Sequence, residues 1–257
     1  MKRRRTVSRA VALALFVIVG QPPAAFPDET AAITVLCSNG LKAVVEDLVP
    51  KFERTTKRRV VVTYGFAAAL KLRIEAGEAF DIAFVTPAVM DELIAHGKIA
   101  NDTRTTVARS PLALAIRAGA KKPDLSTVAA FKRALLNATS VAYAKEGASG
   151  IAFAALIQRL GMADDLKPKS RLTTTGEEVS RAVATGDVEL GVLPLSEILP
   201  VKGIEAVAPF PADVQNYVVM VGGLSNASRQ ASASRELIRY LMAPSALPVI
   251  KAKGMER

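Results

Sequence analysis

A chain of 257 residues, half of them hydrophobic and 23% charged, can bury a large core and is too apolar for a disordered segment. One cysteine and one histidine exclude an intramolecular disulfide and a Cys/His zinc site. The formal charge of +10 suggests a nucleic-acid binder only until its distribution is read. Five of the 34 basic residues (Lys2, Arg3, Arg4, Arg5, Arg9) crowd the start without an acidic neighbour, leaving 29 basic against 24 acidic groups spread along the rest, so no nucleic-acid partner is expected.

That basic start is followed by the apolar run Val11–Val19 and by Gln21-Pro22-Pro23-Ala24-Ala25. A basic segment, an apolar run too short to span a bilayer and a small-residue exit predict a secretory signal over 1–25. Thr34-Val35-Leu36 ahead of Cys37 makes a poor lipoprotein box, so the expected product is an exported, periplasmic protein without a lipid anchor.

The first strand, Ala32–Leu36, runs into Ser38-Asn39-Gly40, and a helix opens at once with Leu41, Val44, Val45, Leu48 and Phe52 on one face. This is either a plain strand-to-helix turn or an anion site, since a helix start presents unpaired N–H groups and a positive dipole end. A strand at Arg59–Tyr64 and a helix opened by Phe66-Ala67-Ala68-Ala69 follow, stopped by Gly77. Next come a strand at Asp81–Val85, a helix from Pro87, a strand at Leu112–Ile116 and a helix capped by Ser126. Ser140–Ala144 reads as a strand, Gly147–Leu160 as a loop and helix, Gly176–Ala184 as a helix, and Leu190–Leu193, Ile204–Ala208 and Tyr217–Val221 as strands. Helices at Ser234–Met242 and Ser245–Lys253 end the chain. Strands and helices alternating at this spacing predict open, mostly parallel α/β sheets. Ala108–Pro111 and Pro209–Gln215 are the expected crossings between two lobes, and the loops after Leu36, Tyr64, Tyr143 and Leu172 are where a ligand should lie.

CSNGLKAVVEDLVPKFE (37–53), RIEAGEAFDIAFVTP (73–87), ASGIAFAALIQRLG (148–161) and ELGVLPLSEI (189–198) occur in the order and spacing of molybdate-type periplasmic binding proteins, which the chain resembles along nearly its whole mature length. The resemblance implies a type II periplasmic-binding-protein fold: two α/β lobes joined by two crossing strands, with a ligand cleft between them. It divides the chain into lobe I at 26–108 and 215–257 and lobe II at 109–214. It implies a monomeric receptor that hands a molybdate- or tungstate-like oxyanion to an inner-membrane ABC permease and its ATPase, with no cofactor.

Carried over residue by residue, the family's ligand positions fall on Gly40 beside Ser38 and Asn39, on Ala67 and Ala68, on Ser149 with Gly150, on Val179 and, for a tyrosine donor, near Pro194. Serine hydroxyls and the tyrosine hydroxyl are thus replaced by Gly, Ala and Pro. A larger organic carboxylate suits such a pocket as an alternative ligand. Arg73 either pairs bidentately with that carboxylate or is a surface residue paired with Glu75 or Glu78. Lys42 and Arg109 carry the same two readings, with Arg109 placed to brace a lobe crossing. His96 sits in the last turn of a helix, where an imidazolium meets the dipole, and no acid/base couple, nucleophile elbow or metal-spaced cluster stands out. No catalytic residue is therefore expected; an exported enzyme or a regulator's effector domain are the remaining classes.

Overall fold

The computed structural model describes residues 32–257, so the expected signal at 1–25 lies outside the described residues. Strand β1 (Ile33–Ser38) is mostly apolar because it is central, pairing in parallel with β2 (Val60–Gly65) and β3 (Ile82–Val85). Helix α1 (Lys42–Thr56) buries the predicted face, with Val44, Val45, Leu48 and Phe52 all at most 3% exposed. Helices α2 (Ala67–Glu75) and α3 (Pro87–Ala95) connect this first set of strands.

The strand β4 (Thr105–Arg117) is the longest among the described residues, and it serves two sheets. Over Thr105–Pro111 it pairs antiparallel with β9, and over Leu112–Arg117 with the strands of the second half. That half continues through α4 (Val128–Asn137), β5 (Val141–Ala144), α5 (Ala148–Arg159), α6 (Ala163–Leu166), β6 (Ser170–Thr173), α7 (Gly176–Thr185), β7 (Leu190–Pro194), α8 (Leu195–Ile198) and β8 (Ile204–Pro209). The chain then returns along β9 (Tyr217–Leu224) and ends in α9 (Ala231–Met242) and α10 (Leu247–Ala252). The strand order is β2-β1-β3-β9-β4-β7-β5-β6, with β8 beside β4.

The expected parallel pairing holds for β1 with β2 and β3 and for β5 with β6 and β7. It fails at β4 and β9, which are antiparallel to their neighbours. Two strands that carry the chain out and back must oppose one another, so the sheet is mixed. The crossings are fastened by Gln215, whose amide accepts from Leu112 N (3.0 Å) and donates to the carbonyls of Leu112 and Phe210 (both 3.2 Å). The chain end joins the same place: Arg109 and Glu256 exchange two backbone hydrogen bonds of 2.7 and 2.8 Å, and Ser110 Oγ donates to Gly254 O at 3.1 Å. Arg109 also pairs with Glu256 at 2.9 Å and stacks on Tyr217, so it braces the crossing. Two local expectations shift. Helix α4 is capped by Thr127, one residue after Ser126, and α9 starts at Ala231 because Ser234 is inside it and fully buried.

Asp81, just ahead of β3, has a structural role. Its buried carboxylate accepts from Thr34 N and Thr34 Oγ1 (2.8 Å each) and from Ser228 Oγ (2.7 Å), tying β1, β3 and the segment after β9 together. Replacing Asp81 with Ala leaves these donors unpaired and should cost about 3 kcal/mol in urea unfolding, several hydrogen bonds to one charged acceptor being lost at once.

Candidate ligand cleft

A strand whose carboxyl end runs into a helix aims that helix's first N–H groups past the edge of the sheet. Here β1 delivers Ser38, Asn39 and Gly40, β2 delivers Phe66, Ala67 and Ala68, β3 delivers Thr86, and β5 delivers Glu146, Gly147 and Ser149. Gly176, Pro194 and Glu197 arrive from the second half. All of them line one cavity of about 240 Å³, floored by Val218 and Met220 of the crossing strand β9.

Three helix starts that border the cavity have no side-chain cap. Helices α2, α3 and α5 begin after Phe66, Thr86 and Gly147, none of which makes a side-chain cap hydrogen bond. By contrast, Thr127 caps α4 and Thr175 caps α7, each accepting from a backbone N–H at 3.1 Å. A cap contributes about 1 kcal/mol, so three helices pointed into one cleft without one leave donors and dipole for an acceptor from outside. The side chains of Ser38, Asn39, Thr86 and Ser149 make no hydrogen bond among the described residues, and all four line the cavity.

Of the residues singled out from sequence, Ser38, Asn39, Gly40, Ala67, Ala68, Ser149 and Pro194 are brought together. Gly150 lies just behind, where a Cβ would stand 1.8 Å from Ala144 O, so glycine is what lets α5 start this close to β5. Val179 is fully buried and packs against Gly191, not against the cavity. Arg73 is elsewhere: its guanidinium grips Glu78 on the exposed side of α2, with Nη2 to Oε1 at 2.6 Å, the surface-pair reading of that residue. His96 is at the end of α3 with Nδ1 2.9 Å from Glu75 Oε1, and Lys42 Nζ is 3.7 Å from Glu177 and faces the Tyr64 ring. Cys37 is buried in the core beside these elements, its thiol pushed up by burial and by the charge of Glu46.

Glu197 escaped the sequence reading. It sits in the first turn of α8 and borders both the main cavity and a neighbouring one of about 220 Å³ that also shares Asn39 and Gly176. Its Oε2 would be 2.5 Å from a Cβ on Gly176, so the missing side chain there makes its place. Glu197 takes part in no hydrogen bond or ion pair among the described residues. Burial, with the charge of Glu177 adding and that of Lys42 opposing, raises its carboxyl from 4.5 to about 7. The element is held by its neighbour Ser196, whose N–H donates to Ser110 Oγ (3.0 Å) and whose Oγ donates to Gly40 O (3.2 Å).

Between pH 4.5 and about 7 the unfolded chain has lost the Glu197 proton while the folded one retains it, so stability falls as pH rises through that window and levels off above it. Glu197→Gln should abolish this slope and leave the protein up to about 3 kcal/mol more stable than wild type at pH 8, read by urea unfolding across pH.

Residues 33–256 match the bacterial extracellular solute-binding protein family. Over 245 residues the chain is 30% identical to an aconitate isomerase of a Pseudomonas species, with 93% of each covered. It is 25% identical over 248 residues to the molybdate-binding protein of Azotobacter vinelandii, covering 93% of this chain and 96% of that one. The solved periplasmic molybdate-binding protein of the same organism superposes with a TM-score of 0.74 at 19% identity, over 88% of this chain and 99% of the other. The fold is accordingly the type II periplasmic-binding-protein fold, two α/β lobes joined by crossing strands around a cleft. The family match spans almost all of the described residues, and the chain belongs to the bacterial extracellular solute-binding proteins.

Proposed function

We propose that this protein is a periplasmic receptor whose cleft takes a small organic polycarboxylate, of the class of aconitate, and presents it as a monomer to an ABC permease and its ATPase. The observation that carries the choice of ligand is the cavity lining, in which apolar side chains and the hydroxyl-free Ala67, Ala68 and Pro194 suit a carbon skeleton better than a bare tetrahedral oxyanion. An organic acid can accept a hydrogen bond from the neutral form of Glu197. Its carbon skeleton can lie on Phe66, Val89, Ile151, Val218 and Met220, while its carboxylates reach the uncapped helix starts.

The hydroxyls replaced by Ala67, Ala68 and Pro194 support the same reading. Each neutral hydrogen bond lost to an oxyanion removes about 0.5–1.5 kcal/mol, and three cost roughly tenfold to a thousandfold in affinity. In this reading the cleft divides 26–108 plus 215–257 from 109–214, and a ligand touching both sides favours the closed arrangement because those contacts exist only there. Lys42–Glu177 and Ser196–Gly40 already join the two sides. Kinship with an aconitate isomerase favours a second reading, in which the bound acid is also converted.

Citrate and cis- or trans-aconitate at a hundred times their dissociation constant should stabilise the protein by about 2.7 kcal/mol, a rise of roughly 5–10 °C in Tm. Molybdate and tungstate should do no more than sodium chloride of equal ionic strength. A shift from molybdate with none from the organic acids would overturn the proposal. Arg73→Ala should leave the organic-acid shift unchanged, because its partner is Glu78.

A further inference from the structure

We propose that Glu197 is the proton-transfer group of the cleft, carrying one hydrogen between the two ends of a three-carbon unit in an unsaturated polycarboxylate and so moving its C=C bond. The inference rests on the polycarboxylate reading above and adds a chemical step to it.

Three observations converge on this side chain. Glu197 opens onto the cavity bordered by the uncapped starts of α2, α3 and α5, so a substrate held there by its carboxylates lies against it. It is committed to no hydrogen bond or ion pair among the described residues, unlike Asp81, whose carboxylate is fully used in holding strands together. Its space is made by Gly176, where any Cβ would collide with Oε2. The charged groups that face it are Lys42 and Glu46 from α1, Glu177 from α7 and Glu146 from the loop after β5. Burial and Glu177 outweigh Lys42, so both protonation states are populated near neutrality, the condition a single acid/base group needs.

The step balances without a cofactor. The Glu197 carboxylate takes a proton from the methylene carbon between a carboxylate and the double bond; the C–H bond breaks, an O–H bond forms, and the electron pair spreads over the three-carbon unit and the attached carboxylates. The helix N-termini meet that growing negative charge. Glu197, now a carboxylic acid, returns the proton to the far carbon; the O–H bond breaks, the new C–H bond forms, and the double bond stands one position along. The new double bond lies where the former methylene was joined to the central carbon, so the torsion at which the cleft holds that single bond decides which geometric isomer is formed. Nothing is oxidised or reduced.

The test incubates the full chain with cis-aconitate in D2O, follows it by proton NMR, and records thermal unfolding with the same ligand. Wild type should form the trans isomer and exchange its methylene hydrogen for deuterium, at a rate that rises with pH through about 7. Glu197→Gln can still donate a hydrogen bond but cannot carry a proton. It should keep the ligand-induced rise in Tm and lose conversion by at least about 100-fold. Conversion at the wild-type rate in the Gln variant overturns the proposal. Stabilisation of wild type without conversion or exchange also overturns it, while leaving the receptor reading standing. Failure of wild type to be stabilised at all removes the polycarboxylate reading and this step with it. If the variant does not unfold cooperatively, the wild-type profile decides, and a rate flat from about pH 5 to 9 overturns the proposal.

Discussion

Everything at the cleft depends on one property of the α-helix: its first turn carries N–H groups that the helix itself cannot satisfy. Most helix starts in proteins meet that need with a nearby hydroxyl or carboxylate, as α4 and α7 do with Thr127 and Thr175. Those of α2, α3 and α5, which border the cavity, have no side-chain cap. The stability given up by each is about 1 kcal/mol, and it is recovered when an acceptor arrives in the cleft. The missing caps thus make binding and folding draw on the same groups.

Against this positive background Glu197 is a deliberate contrast. A second carboxylate in an anion site costs affinity unless it can shed its charge, and burial between two cavities lets it do so. Lys42 and Glu177 are 39% and 75% exposed at the side chain, so their pair is worth little by itself and mainly sets the local field. What fixes Glu197 in place is packing over Gly176 and the buried hydrogen bonds of Ser196 next to it.

The fold was legible in the sequence wherever the signal was local. The apolar run of β1, the Leu41-to-Phe52 face of α1 and the glycine after α2 each follow from periodicity or backbone conformation. The missing hydroxyls at Ala67, Ala68 and Pro194 could be read too, because a side chain's absence needs no geometry. Glu197 could not. In Leu195-Ser196-Glu197-Ile198 it looks like any acid on a helix face, and its character comes from Gly176, Glu177 and Lys42, which only the folded chain brings to it. Arg73 erred the other way: a cation near an expected anion site, whose own neighbour Glu78 had already claimed it. The antiparallel run of β4 and β9 was equally hidden, since strand direction is set by connections and not by composition.

The chain end has a consequence for when this molecule can exist. The crossing strand β4 is tied through Arg109 and Ser110 to Glu256 and Gly254, and β9, which pairs with it, is not made until residue 217. The first lobe's sheet therefore lacks β9, the strand between β3 and β4, until the last sixth of the polypeptide is made. Contacts spanning this much sequence form late and slowly. The two sheets are therefore joined last, when β9 and the chain end reach β4.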